Sequence, residues 1–207
     1  MATRDARPSG SDTGNDTGVG TGDGPLTYLL IDGENLDATL GVNVLGHRPA
    51  PDDRPRWERV LDFTRATWDR PVKALFFINA SSGELPMPFL QALTAMGLRP
   101  VLLSGPPGVK VVDVGIQRTL EAVAGREGDV MLGSHDVDFL PQVQALLGGR
   151  RRVGLMAFRE FVSARYADLV PSGLEIYDLE DDARAFNKVL PRLRIIDIDA
   201  FDPEAFL

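Results

Sequence analysis

The chain has no cysteine among its 207 residues. That excludes disulfides, cysteine–zinc sites, iron–sulfur clusters and thiol nucleophiles. Its two histidines, His47 and His135, lie far apart in sequence, which argues against a histidine-built zinc site. No stretch approaches the roughly 18 apolar residues of a membrane helix. The first 25 residues lack the apolar centre of a secretory signal, so a cytoplasmic protein with no membrane attachment is expected. The G-x-x-x-x-G-K-S/T phosphate loop and the G-x-S-x-G nucleophile elbow are both missing. Gly105-Pro106-Pro107-Gly108 reads as a rigid turn, not a dinucleotide fingerprint.

An excess of positive charge is missing too. The net charge is −8. Residues 1–25 carry −2, residues 175–207 carry −5, and residues 26–174 carry only −1. The acidity therefore sits mainly at the ends. Strong non-specific duplex binding is disfavoured, but a locally basic groove is open to the central part. The run Arg150-Arg151-Arg152 is one candidate, and a solvated turn between helix and strand is the plainer reading.

What is present is enough apolar residue, 43%, for one domain of ordinary size with tails. Residues 1–25 are rich in Gly, Ser, Thr and Asp and are expected to be a disordered tail. Residues 26–179 alternate between short apolar runs and helical spacings. Strands are predicted at 27–31, 72–78, 99–103, 129–132, 153–158 and 174–177. Helices are predicted at 34–40, 57–68, 88–96, 112–124, 137–147 and 160–169, with an irregular stretch over 41–55. Continuous apolar strands alternating with helices imply a three-layer α/β/α domain around a mainly parallel sheet of five or six strands. Residues 180–207 form an acidic extension that turns apolar near its end and suits docking on the domain or on a partner protein.

Four aspartates fall where strands hand over to helices: Asp32, Asp113, Asp136 and Asp138. Ligands of open parallel sheets bind beyond the carboxyl ends of the strands, which puts Asp32, Asn35 and the Asp136–Asp138 pair on one rim. Asp113 lies three, seven and ten residues before Ile116, Leu120 and Val123, on their helix face. Each aspartate alone also reads as a helix cap or first-turn charge. Together they suit hard divalent cations, which take oxygen ligands and drive phosphodiester hydrolysis. Lys110 can meet a phosphate or neutralise a carboxylate. Asn35 can hold Asp32 or donate to phosphate, and Ser134 can bind phosphate or close a turn. His135 is read as a solvent-facing turn residue, Glu34 as a helix-start charge and His47 as exposed.

These pieces, in order, resemble the NYN domain, a branch of the PIN-like nucleases that includes LabA-like proteins. The matching residues are Ile31-Asp32-Gly33-Glu34-Asn35-Leu36, Lys110-Val111-Val112-Asp113, Ser134-His135-Asp136-Val137-Asp138-Phe139 and Ala167-Asp168-Leu169. Their order and spacing match over about residues 26–178. The resemblance implies a metal-binding acidic cluster with Asp32, Asp113, Asp136 and Asp138 as catalytic ligands, Asn35 as a supporting polar residue, and RNA as the usual substrate class. Joined to the residue reading, it gives Mg²⁺ or Mn²⁺ as the metal, Asn35, Lys110 and Ser134 as substrate-binding residues and single-stranded RNA as the expected substrate. His135 and Val111 stand where the family commonly has glycine. The competing expectations are a non-catalytic RNA- or protein-binding regulatory module on the same fold and, more weakly, a small-molecule phosphatase, for which no D-x-D-x-T motif follows the first strand.

Overall fold

The computed structural model describes residues 25–193, 196 and 198–207. The tail expected over residues 1–25 lies outside the described residues, save for Pro25. Six strands form one parallel sheet in the order β3-β2-β1-β4-β5-β6. They are β1 (Thr27–Asp32), β2 (Val72–Asn79), β3 (Leu98–Leu103), β4 (Asp129–Gly133), β5 (Val153–Ala157) and β6 (Leu174–Asp178). The helices are α1 (Gly33–Thr39), α2 (Trp57–Trp68), α3 (Met87–Ala95), α4 (Val111–Ala124), α5 (Leu140–Leu146) and α6 (Ala164–Ala167). The expected α/β fold is the one observed.

The two cores follow from side-chain alternation along the strands. Leu29 and Ile31 of β1 face one layer with Trp57, Val60 and Leu61 of α2 and Leu93 of α3. Leu30 faces the other with Ile116 and Leu120 of α4, Val143 of α5 and Tyr166 of α6. β4 and β5 are buried along their whole length, as strands covered on both faces must be.

The chain lays β1, β2 and β3 outward in one direction, returns through α4, then lays β4, β5 and β6 in the other. The order therefore reverses between β1 and β4. That reversal opens a crevice at the strands' carboxyl ends, where ligands of such sheets bind.

Several local expectations are corrected. The chain beyond α1 is not irregular: 40–45 forms a π-helical turn that buries Leu40, Gly41 and Val44 and ends at Gly46 with φ of 72°. A 3-10 turn, Pro51–Asp53, follows, with Asp53 accepting from the Ala50 amide at 2.8 Å. The helix predicted over 137–147 starts as a 3-10 turn, Val137–Phe139, before α5. The helix predicted over 160–169 is broken. A 3-10 turn, Arg159–Phe161, gives way to extended backbone at Val162 and Ser163, and Ser163 caps the four-residue α6.

The boundary expected after residue 179 falls inside the packed body. Leu179, Ala183, Ala185, Phe186 and Leu190 belong to the first core. Phe186 stacks on Phe158, with ring centroids 5.9 Å apart.

Candidate metal centre

Two neighbouring strands start the site. Their register pairs Ile31 of β1 with Gly133 of β4, so Asp32 and Ser134 leave the sheet side by side. The Ser134 hydroxyl lies 3.2 Å from Asp32 Oδ2 and 3.1 Å from Asn35 Oδ1. Its single proton serves one of them at a time, and its oxygen accepts from the Asp136 amide. Asn35 Oδ1 also accepts from the His135 amide at 3.2 Å. Asp32 caps α1 by accepting from the Asn35 amide at 3.1 Å. Gly33 is needed here for space rather than for a left-handed turn, because a Cβ would stand 2.5 Å from the Phe76 ring.

Asp32 is 2% exposed. Burial pushes its pKa up from 3.8 to about 6, against the lowering effect of the Asn35 amide and the Ser134 hydroxyl, and the charges of Asp113 and Asp136 push the same way as burial.

The other three aspartates converge. One carboxylate oxygen each from Asp113, Asp136 and Asp138 lies within 4.8 Å of the other two. Asp113 comes from the first turn of α4. Asp136 caps the turn after β4 by accepting from the Asp138 amide at 2.9 Å. Asp32 lines the same cleft as Asp113 and Asp136 but stands outside this triad. The expected four-carboxylate group is thus three plus one.

Lys110 answers part of the charge. Its Nζ is 3.2 Å from Asp113 Oδ2 and 3.2 Å from Asp138 Oδ2. These two contacts, Asp113 first, hold the ammonium's pKa above its ordinary value. Between the two readings of Lys110, the structure has it neutralising carboxylates. Three clustered carboxylates are the donor set that hard divalent cations prefer, and the exposed lysine stem can swing away from them.

His135 is corrected. It is half-buried rather than solvent-facing. Its Nε2 is 2.7 Å from the Thr39 hydroxyl, its Nδ1 is buried without a hydrogen-bond partner, and burial lowers its pKa. His47 is exposed, as expected. Glu34 does more than mark a helix start, accepting from the Asn79 amide at 3.1 Å.

Two supporting residues escaped the sequence reading. Thr39 holds the His135 ring. Tyr166, fully buried, donates its hydroxyl to the Asp136 carbonyl at 2.6 Å. The only sequence signal was its place in the 163–169 segment; nothing there indicated a partner thirty residues earlier.

No protein-family model matches the chain, and no curated protein matches it in sequence. Among solved structures it is similar to a protein of unknown function from Vibrio parahaemolyticus, with a TM-score of 0.58 and 19% identity over 76% of this chain and 94% of that one. At that identity the likeness speaks for the fold, and it is consistent with the parallel α/β architecture described above.

Proposed function

We propose that this chain is a metal-dependent nuclease that hydrolyses phosphodiester bonds in RNA, single strands being the substrate and the cytoplasm its setting. The observation that carries the reading is the meeting of Asp113, Asp136 and Asp138 beside buried Asp32, in the crevice between β1 and β4. The ordered motifs that resemble those of NYN domains, which contain the same four aspartates, point the same way.

In this reading Asp113, Asp136 and Asp138 hold Mg²⁺ or Mn²⁺. Such a cation lowers the pKa of water and offsets the charge of the scissile phosphate. Asp32 is the carboxylate suited to accept the proton of the attacking water, because burial brings its pKa to about 6. Asn35 and Ser134 hold that carboxylate in place. Lys110 leaves the triad and meets the substrate's phosphate.

The test is degradation of a labelled single-stranded RNA in Mg²⁺, Mn²⁺ and EDTA. Cleavage is expected with either metal and none with EDTA. Asp136→Asn is expected to slow it by at least about a hundredfold, since even residues behind the ligands cost 10–100-fold. Activity that persists in EDTA or in Asp136→Asn defeats the proposal.

A second reading rests on Lys110. With its ammonium already on two of the three carboxylates, the triad is tolerable without a cation, as suits a regulatory module that binds RNA or protein. Calorimetric titration separates the two. The nuclease reading expects Mn²⁺ binding by the wild type that tightens in Lys110→Met; the module reading, with Lys110 doing the cation's work, expects none by the wild type.

A further inference from the structure

The basic run singled out in the sequence finds a use at the opposite end of the sheet. Around the amino end of β4 lies a depression of about 480 Å³. Four arginines from three loops line it: Arg70 after α2, Arg126 after α4, and Arg150 and Arg151 before β5. Against them stand two carboxylates, Glu127 and Asp129.

Two of the four have structural work. Arg151 donates to the carbonyls of Val123, Ala124 and Arg126 at 3.0, 3.3 and 2.6 Å, offsetting the negative end of α4. Arg70 Nη1 lies 2.9 Å from buried Asp129 Oδ2, off the line of a hydrogen bond, while Asp129 Oδ1 accepts from the Arg152 amide. Arg126 and Arg150 have no such work. Both are exposed, and among the described residues neither meets a carboxylate. With Asp129 neutralised by Arg70, a local positive excess stands on a chain whose net charge is −8.

We infer that this depression binds the phosphates of a single-stranded nucleic acid through Arg126 and Arg150. Guanidinium groups take phosphate oxygens in paired hydrogen bonds. Exposed charges without an enclosing base pocket read a backbone and not a sequence. A duplex carries one charge per roughly 1.7 Å of axis, more than two free cations on a chain of net charge −8 can offset. A flexible strand can follow two cations and avoid the rest. The strands of the sheet, about 17–20 Å long, separate the depression from the acidic cleft, so the inference stands whether or not the cleft hydrolyses RNA.

Anisotropy of a fluorescein-labelled oligouridylate, in EDTA so that no cleavage intervenes, tests it on the full chain. The wild type is expected to bind, and to lose affinity as salt rises from about 50 to about 200 mM. Arg126→Ala with Arg150→Ala is expected to weaken binding at least about tenfold and to flatten the logarithmic salt slope by about 1.4, at ~0.7 per phosphate contact on a single strand. The paired lysine variants should keep most of the slope, and Arg99→Ala, an exposed arginine of the edge strand β3 outside the depression, should bind like wild type. Three results overturn the inference: no binding by the wild type, an unchanged affinity and slope in the double alanine variant, or displacement of the strand by inorganic phosphate as readily as by unlabelled strand, which would assign the depression to the free anion.

Discussion

Asp32 is a residue held at a cost. Its folded pKa of about 6 lies above the ordinary 3.8, so between these values the native state holds the proton more tightly than the unfolded chain. The sign follows from linkage: stability is unaffected below about pH 3.8, falls as pH rises toward 6, and stays reduced above it. Two pH units correspond to on the order of 3 kcal/mol. Asn at position 32 keeps an oxygen for the Asn35 amide and removes the charge. Asp32→Asn is therefore expected to be more stable than wild type at neutral pH in EDTA, by on the order of 2–3 kcal/mol, and no more stable below about pH 4. Urea denaturation at the two pH values checks it. A variant equally stable or weaker at neutral pH would mean that the buried charge is already compensated. That this carboxylate sits at the rim was legible, since an apolar run ending in Asp32-Gly33 marks a strand end. That it is nearly sealed, and set apart from the other three, was not, because the contact over it comes from Ser134, 102 residues later in the chain.

At the scale of elements, α6 shows what one turn of helix can do. Four residues cannot hold a helix by propensity alone. Tyr166 fixes it, with its ring in the second core and its hydroxyl on the Asp136 carbonyl. Burial, with the charges of Asp136 and Asp138, raises that hydroxyl's pKa, so it stays a donor. Tyr166→Phe removes the donor, and an unsatisfied carbonyl costs about 1–3 kcal/mol. The expected outcome is a loss of about that size in thermal or urea unfolding, with a weaker Mn²⁺ affinity that Asp168→Ala, a little over half a turn away on the exposed side, does not share; equal Mn²⁺ affinity in both would make Tyr166 a core residue only. The elements that read clearly from the sequence were those governed by local pattern. α2 runs from Trp57 to Trp68 as its spacing predicts, and Gly97, with φ of 86°, closes the turn after α3. Those that misled are governed from a distance. The helical spacing of 160–169 is broken where Glu160 is drawn to Arg192 and Phe161 packs near Phe158 and His135. His135 looked exposed because a turn histidine flanked by aspartates usually is, and Thr39 lies 96 residues away.

At the scale of the whole molecule, the acidic stretch after β6 is a structural part of the domain through residue 192. Arg192, with its side chain 2% exposed, donates to Asp178 Oδ1 at 2.7 Å and Oδ2 at 2.6 Å, and to Glu160 and Glu180. Its guanidinium lies 5.4 Å from the centre of the Phe158 ring. Asp178 takes further bonds from the Arg159, Glu180 and Asp181 amides. Burial alone would raise the Asp178 pKa, but Arg192 and these amides outweigh it and hold the carboxyl well below its ordinary range. The network thus joins the turn after β5, the end of β6 and the returning chain, and it clamps Phe186 and Leu190 onto the first core. Removing one partner of a buried ion pair strands the others, at about 3–5 kcal/mol. Arg192→Met is expected to lose that much at neutral pH. Because the Asp178 pKa is depressed, the network's contribution is present above the ordinary carboxylate pKa and fades as acid protonates the carboxyl, so the gap between wild type and variant should narrow below about pH 4. Truncation separates this clamp from mere tail attachment. A chain stopped after residue 193 should melt close to the full one, whereas a chain stopped after 179 should fail to fold cooperatively, having lost Ala183, Ala185, Phe186 and Leu190 from its core. If the shorter chain melts like the longer, the domain closes at β6 and the returning segment is only an appendage.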